Sequence, residues 1–360
     1  MLPNPILPPR EPLLRPSNSF NLWSVNYGAV DNALKHAGVI AAPEKIFYAF
    51  WAHGIFGPWE TQLEGRLTYN AGKRLKKWQI FTARQDEQDT LTSQGHTSAL
   101  AIGAPIVYAP LIHQPRIENS LLIVPTHTLP GIKFPDRSEF KQYAEQICHE
   151  AKQFEHVFVC LHPSCFKNGF WLDEFSGSGF RVIQGASPSD TNAHTRIRSL
   201  FSAVEYVTTN GWGSHVSYAL AEGAKVSIYG TEPRLKHEHY QSIGEVTWGR
   251  NPNALRELLS EAQRQKRVEY FAKHTCKPIE GTCDTELGKS LIGAQHKLTP
   301  EQMKECLDAA FHGRLAQRLG RRLHTVRKEV ARYTRRILQK SKDANLVTSP
   351  SCELTDFQIL

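Results

Sequence analysis

Residues Thr208–Gly230 read TTNGWGSHVSYALAEGAKVSIYG. Tyr206–Thr209 is a short β-prone run that stops at Asn210-Gly211-Trp212-Gly213, a turn with two glycines. Ser214–Glu222 then follows with helical spacing, and Lys225–Tyr229 is a second short apolar run. Strand, glycine turn, helix and strand in 24 residues (206–229) make one βαβ unit, and such a unit pairs its strands in parallel.

The same alternation extends upstream. Leu121–Val124 is an apolar strand closed by Pro125. Asp136 with Glu139 three residues later is a capping-box pattern, opening a helix that buries Phe140, Tyr143, Ile147, Ala151 and Phe154. Val157–Leu161 is the next strand, Trp171–Phe175 a helical or irregular stretch, and Phe180–Ile183 another strand. Asp190 is the expected cap of a helix through Ile197, Leu200 and Phe201. Nearer the N-terminus, 29–37 predicts a short helix and 46–52 a buried strand. Residues 78–82 form another strand, and 98–109 a strand broken by Gly103 and Pro105. Downstream, Asn251-Pro252 opens a helix with Leu255, Leu258, Leu259 and Ala262. Thr299-Pro300-Glu301 begins the last helix, a capping Thr before Pro at the first helical position.

The 360 residues suffice for two cores, and 40% apolar with 22% charged residues fits an ordinary globular chain. No run approaches the roughly 18 apolar residues of a membrane-spanning helix. Six prolines among the first sixteen residues, without an apolar signal-peptide stretch, predict a disordered or extended leader and a cytoplasmic protein. Seven cysteines without CxxC spacing predict reduced thiols, and the six residues between Cys276 and Cys283 match no common zinc spacing.

The net charge of +8 is concentrated. Residues 312–343 hold eleven Lys/Arg against Glu329 and Asp343, so the remainder is nearly neutral. Leu315, Leu319, Leu323, Val326, Val330, Tyr333 and Ile337 form an apolar stripe through that segment. A basic amphipathic helix over about 299–342 suits an anionic membrane surface, or packs its stripe on the body with solvated arginines. Nucleic acid is the weakest of the three partners, because no nucleic-acid module occurs elsewhere in the chain.

In open parallel sheets, ligands bind beyond the carboxyl ends of the strands. Pro125-Thr126-His127, His162-Pro163-Ser164, Gln184-Gly185, Asn210–His215 and Gly230-Thr231-Glu232 follow five successive strands. Small, polar or imidazole residues at one edge predict an anion site. The turn before Ser214 offers free helix N–H groups and a hydroxyl to a phosphate. His127, His162 and His215 are each either phosphate donors or satisfied polar residues. The same turn also reads as an N-cap alone.

Thr208–Gly230 resembles the nucleotide-binding half of GT-B glycosyltransferases. His162-Pro163 with a downstream serine turn is similar to bacterial sialyl-, polysialyl- and Kdo-transferases, which use CMP-sugars. The likeness covers about 120–260 and implies that His162 and Ser214 contact the nucleotide phosphate. It departs from those families at two points: Leu63-Glu64-Gly65 only partly matches their acidic motif, and Glu222 and Glu232 are spaced by nine residues between them, not as the retaining enzymes' glutamate pair. The implied fold is α/β, two Rossmann-like domains of GT-B type with the C-terminal basic helix. The expected division is leader 1–18, acceptor domain 19–116, nucleotide domain 117–275 and tail 276–360.

On this reading the donor site comprises His127, His162, Pro163, Gly185, Asn210, Gly213, Ser214 and His215. The acceptor base is His53 or Glu60, with Asp86 and Asp89 in reserve. Trp51, Phe56 and Trp59 either stack against the acceptor or are ordinary core. No Asp-x-Asp occurs, so no metal and no cofactor is expected. The expected activity is transfer from a nucleotide-sugar, with CMP favoured, to a glycan or lipid-linked acceptor of surface polysaccharide at the inner membrane face. A nucleotide-sugar epimerase and a non-catalytic assembly protein are the alternatives.

Overall fold

A computed structural model of the protein describes residues 4–13, 26–39, 49–51, 54–60, 78–127, 137–233 and 260–308. These belong to one compact unit, Met1–Ala310; a second unit, Phe311–Leu360, lies outside the described residues and contains the basic segment.

Two parallel sheets form the frame. Strands β1 (Ala49–Trp51), β2 (Gln79–Thr82) and β3 (Ala99–Ala101) pair in the order 1-2-3. The second sheet contains β4 (Ile117–Ile123), β5 (His156–Leu161), β6 (Arg181–Gln184), β7 (Val204–Thr209) and β8 (Lys225–Ile228), in the order 6-5-4-7-8. Every pairing in it is parallel, and β4 lies between β5 and β7, with Leu122 opposite Phe158 on one side and Val207 on the other. Two Rossmann-like α/β parts are thus present as expected, and the chain passes from one sheet to the other between Ala101 and Ile117.

Short continuous apolar strands are buried on both faces because helices cover both. On one face, Leu121, Ile123, Val159 and Leu161 pack with Phe140, Tyr143 and Ile147 of α3 (Ser138–Glu150) and with Trp171. Alternation turns Leu122, Phe158, Val207 and Val226, all 1% exposed or less, to the opposite face. There α5 (Ala193–Ala203) meets β7, and α6 (Ser214–Ala221) meets β8. The first part adds α1 (Ala29–His36) and α2 (Gln85–Ser93). Between β5 and β6 runs the short α4 (Pro163–Asn168); α7 (Glu261–Tyr270) and α8 (Thr285–Leu291) follow the second sheet.

Several local expectations hold and others change. Thr299 accepts the Gln302 amide at 3.3 Å while the Gln302 side chain accepts that of Thr299 at 2.9 Å, a reciprocal cap for the helix from 300. Asp136 lies outside the described residues, and Arg137 precedes α3 without a side-chain cap. The Asn251-Pro252 helix start is also outside them; α7 is capped by Ser260. Asp190 does not cap α5, whose N-cap position is Asn192. Its carboxylate instead accepts the amides of Glu11 and Asn192, each at 3.0 Å. The described leader residues are likewise not free-standing. Thr191 donates to Glu11 at 2.9 Å, Leu13 donates to Ser189 at 3.2 Å, and Asn192 donates to Pro9 at 2.9 Å. Proline has no N–H to compete for these carbonyls, so an extended proline-rich strand suits an edge contact.

Trp51 and Phe56, expected as either acceptor contacts or core, are core. Trp51 is 3% exposed, donates its indole N–H to Gly103 at 3.1 Å and packs edge-on against Phe81 and Tyr108. Phe56 is buried with Phe50, Ile80, Leu91 and Ala99. Trp51→Ala is therefore expected to cost about 3–5 kcal/mol, read as a lower urea midpoint. A loss under about 1 kcal/mol would be inconsistent with this packing.

Candidate functional site

The strand order reverses between β4 and β7: the chain moves outward through β5 and β6, then returns to the other side of β4. A crevice opens where neighbouring loops leave in opposite directions. The loops at that point are Val124–His127 and Asn210–Gly213.

Asn210 clips this edge together. Its side-chain oxygen accepts the Thr126 amide at 2.8 Å, and its side-chain N–H donates to Thr231 at 2.9 Å. The loops after β4, β7 and β8 are thereby tied to one carboxamide that is 1% exposed. Asn210 is consequently a scaffold, with both polar ends already used. Gly211 beside it stands where a Cβ would lie 2.6 Å from the Thr126 methyl and 2.8 Å from the Glu232 carboxylate, so a larger residue there would displace those side chains. Trp171 donates to the Thr126 carbonyl at 2.9 Å and closes the loop from behind.

His162 leaves β5 and occupies the N-cap of α4, with Pro163 at the first helical position. Its Nδ1 accepts the Ser164 amide at 3.1 Å and lies 2.6 Å from the Ser164 hydroxyl. The ring is stacked on that of His127, with centroids 4.4 Å apart and planes at 22°. His215 curls back under the glycine turn, its Nε2 2.9 Å from the Thr209 hydroxyl. Burial lowers its pKa from 6.5 to about 4, and nearby His127 adds to the effect. His215 is therefore neutral near pH 7 and cannot serve as a cation for phosphate. Its role is to brace the turn against Thr209.

Ser214 is at the first turn of α6, and its hydroxyl accepts the Ile55 amide at 2.8 Å. The segment carrying Ile55 follows β1 and is fixed by buried Arg84, which donates to the Phe56 carbonyl at 2.9 Å and contacts Glu87 at 2.9 Å. The two α/β parts thus meet at the glycine turn. Ser214 also bonds with Tyr218, and the Tyr27 hydroxyl lies 3.3 Å from Nε2 of His162.

The sequence-predicted residues therefore divide. His127, His162, Pro163, Asn210, Gly213, Ser214 and His215 share one edge. Gly185 follows the outer strand β6, where its amide donates to Leu161 at 2.7 Å and Arg10 of the leader reaches its carbonyl. Two strands separate it from the switch point. Glu60 accepts the Gly57 amide at 2.8 Å and braces its own turn. Trp59 packs with Trp212, Tyr270 and Phe271 at 5.1–5.8 Å between centroids. His53 lies outside the described residues. Sequence reasoning missed Tyr27, and it missed a cavity of about 440 Å³ on the far side of the turn, lined by Trp212, Tyr229, Glu232, Arg264, Arg267 and Lys277 among others. Its strand-end side, Asn210–Trp212 and Gly230–Glu232, was marked in the sequence, whereas its α7 side was not.

No family model matches the chain, and no curated protein matches it. Solved structures similar to it include the UDP-GlcNAc 2-epimerase of Neisseria meningitidis bound to UDP-GlcNAc, at 13% identity and a TM-score of 0.34, over 69% of this chain and 68% of that one. A putative UDP-N-acetylglucosamine 2-epimerase of Listeria monocytogenes has 12% identity and a TM-score of 0.28, over 60% and 56%. The UDP-GlcNAc 2-epimerase of Methanocaldococcus jannaschii has 10% identity and a TM-score of 0.32, over 74% and 72%. These likenesses are of outline alone.

The histidine brace has a pH signature. A folded-state pKa below the unfolded value means that the unfolded chain takes the proton first as pH falls. The contribution of His215 is thus complete above about pH 6.5 and is lost between there and about 4. The melting temperature is expected to fall across that window, and His215→Gln is expected to flatten the fall. An unchanged pH profile in the variant would contradict the assignment.

Proposed function

We propose that the chain is a nucleotide-sugar enzyme that acts at the bond between the anomeric carbon and the phosphate. The observation that carries this reading is the convergence of the β4, β5 and β7 loops at the switch point, around stacked His127 and His162 and the glycine turn. Breaking an anomeric C–O bond moves charge onto a phosphate oxygen. Preorganised donors on the rim and the N-terminal end of α6 stabilise that charge without reorganising. The cavity beyond Gly211 has aromatic walls and basic rim residues suited to one end of such a donor.

Glycosyl transfer to a glycan or lipid-linked acceptor is the first form of this reading. Residues 312–343, with nine net positive charges, would then hold the enzyme at an anionic bilayer surface. CMP is the favoured donor nucleotide, and His53 is the favoured acceptor base; Glu60 accepts an amide of its own turn, Asp86 pairs with Arg84 and Asp89 accepts the Gln85 side-chain N–H. One observation favours the second form, epimerisation without an acceptor: a carboxylate, Glu232, stands directly against Gly211 on the donor side.

A melting panel with CMP, UDP and GDP tests the common claim. Ligand at 100 times its Kd adds about 2.7 kcal/mol, so one nucleotide should raise the melting temperature by a few degrees, and His162→Ala should remove most of the rise. No shift at millimolar concentration with any of the three would overturn the reading. Incubating the matching nucleotide-sugar without acceptor then separates the forms: slow or no turnover fits transfer, and free nucleotide with an epimerised sugar fits the second.

A further inference from the structure

Helix α7 turns one face to the cavity beyond Gly211. Arg264, Arg267, Val268 and, one residue past the helix end, Phe271 recur at helical spacing and all line it. Gln265, Lys266 and Glu269, on the other faces, are exposed. The opposite wall comes from the strand ends, with Trp212 from the glycine turn and Tyr229 after β8. Trp212 stacks on Phe271 with ring centroids 4.4 Å apart and planes at 25°, and Trp59 meets both rings edge-on. Phe271 is 1% exposed, so this aromatic wall is fixed in place.

The charges on these walls do not cancel. Among the lining residues Arg264, Arg267 and Lys277 face two carboxylates, Glu232 and Glu280, which leaves one positive charge over. Arg264 lies 3.4 Å from Glu232 and 4.0 Å from Glu261. Lys277 reaches Glu150, outside the cavity, at 3.2 Å, and Glu280 accepts the Lys277 amide at 3.2 Å. Arg267 pairs with no carboxylate among the described residues, although its side chain is half-buried. A guanidinium presents a planar fork of N–H donors that fits a carboxylate with two parallel bonds. Glu232 and Glu280 repel a phosphate monoester, with nearly two charges, more than they repel a carboxylate with one. Charge balance and donor shape therefore select the same group.

We propose that the cavity between the glycine turn and α7 binds a sugar that bears a carboxylate, with Arg267 as its partner and the Trp212–Phe271 wall beside the ring. This deepens the nucleotide-sugar reading and rests on it for calling the ring a sugar; the carboxylate follows from the cavity itself. Gly211 separates cavity from rim. A Cβ there would meet Thr126 of the rim on one side and Glu232 of the cavity on the other. A ligand with its phosphate at the rim thus enters the cavity past Gly211. A neutral sugar in the same place would strip water from Arg267 without replacing it, so the site discriminates against it.

The test titrates the full chain with glucuronate, glucose and glucose 6-phosphate, one ring carrying in turn a carboxylate, a neutral arm and a phosphate. Calorimetry and tryptophan fluorescence follow the binding. Wild type is expected to bind glucuronate about tenfold or more tightly than glucose, and Arg267→Gln to lose that preference at an unchanged urea midpoint. Arg267→Lys, which keeps the charge but not the fork, should fall between them. The fluorescence response should vanish in Trp212→Phe, which places the ligand at this wall. Equal glucuronate binding by wild type and Arg267→Gln would overturn the inference. So would no binding by wild type, tighter binding of glucose 6-phosphate, or a response that survives in Trp212→Phe. Glucuronate binding that needs Arg267, in a protein that no nucleotide stabilises, would sink the nucleotide reading and leave the carboxylate site standing. Stabilisation by a nucleotide without glucuronate binding would sink this inference alone.

Discussion

A parallel strand cannot return to its neighbour by a hairpin, so each of β4 to β8 must send the chain back across a face of the sheet before the next begins. Every strand then ends at the same edge. This constraint places residues from 124, 162, 210 and 230 in one neighbourhood despite more than a hundred residues of separation. Reversal of strand order beside β4 leaves that neighbourhood open instead of filled. The rest follows: glycine where side chains of the rim crowd the turn, Asn210 where three loops need a shared partner, and imidazoles where the rim remains polar.

The rim is built from parts that brace one another. Asn210 uses its carboxamide for loops, His215 uses its ring for Thr209, and Ser214 uses its hydroxyl for Ile55. Polar groups near a ligand site are thus divided between those that hold the site and those that face it. A buried side chain with both ends bonded gains little from exchanging a partner for a ligand, since the abandoned group is left unsatisfied.

The second sheet was legible because its signal is local. Short apolar runs bounded by glycine, proline and asparagine gave all five strands of that sheet to within four residues at either end, and the Thr299 cap was visible from its spacing. Strand ends then indicated the edge. What stayed hidden depended on long-range contacts. Trp51 and Phe56 lie among glycines in a segment that suits a sugar site, yet their burial comes from Phe81, Tyr108 and Leu91. The leader resembled a free tail because proline-rich composition says nothing of the carbonyls and side chains that Ser189, Thr191 and Asn192 would supply. Tyr27 carried no motif, since its contact with His162 spans 135 residues.

The central claim is that loops from β4, β5, β7 and β8 form one ligand-facing edge, tied together by Asn210 on the side of β4, β7 and β8. Amide hydrogen exchange with and without a bound nucleotide tests it most directly. The account predicts added protection at 124–127, 209–215 and 228–232 together, with the first sheet's 79–101 unchanged. Protection confined to the first sheet, or spread over one of these loops without the others, would contradict it.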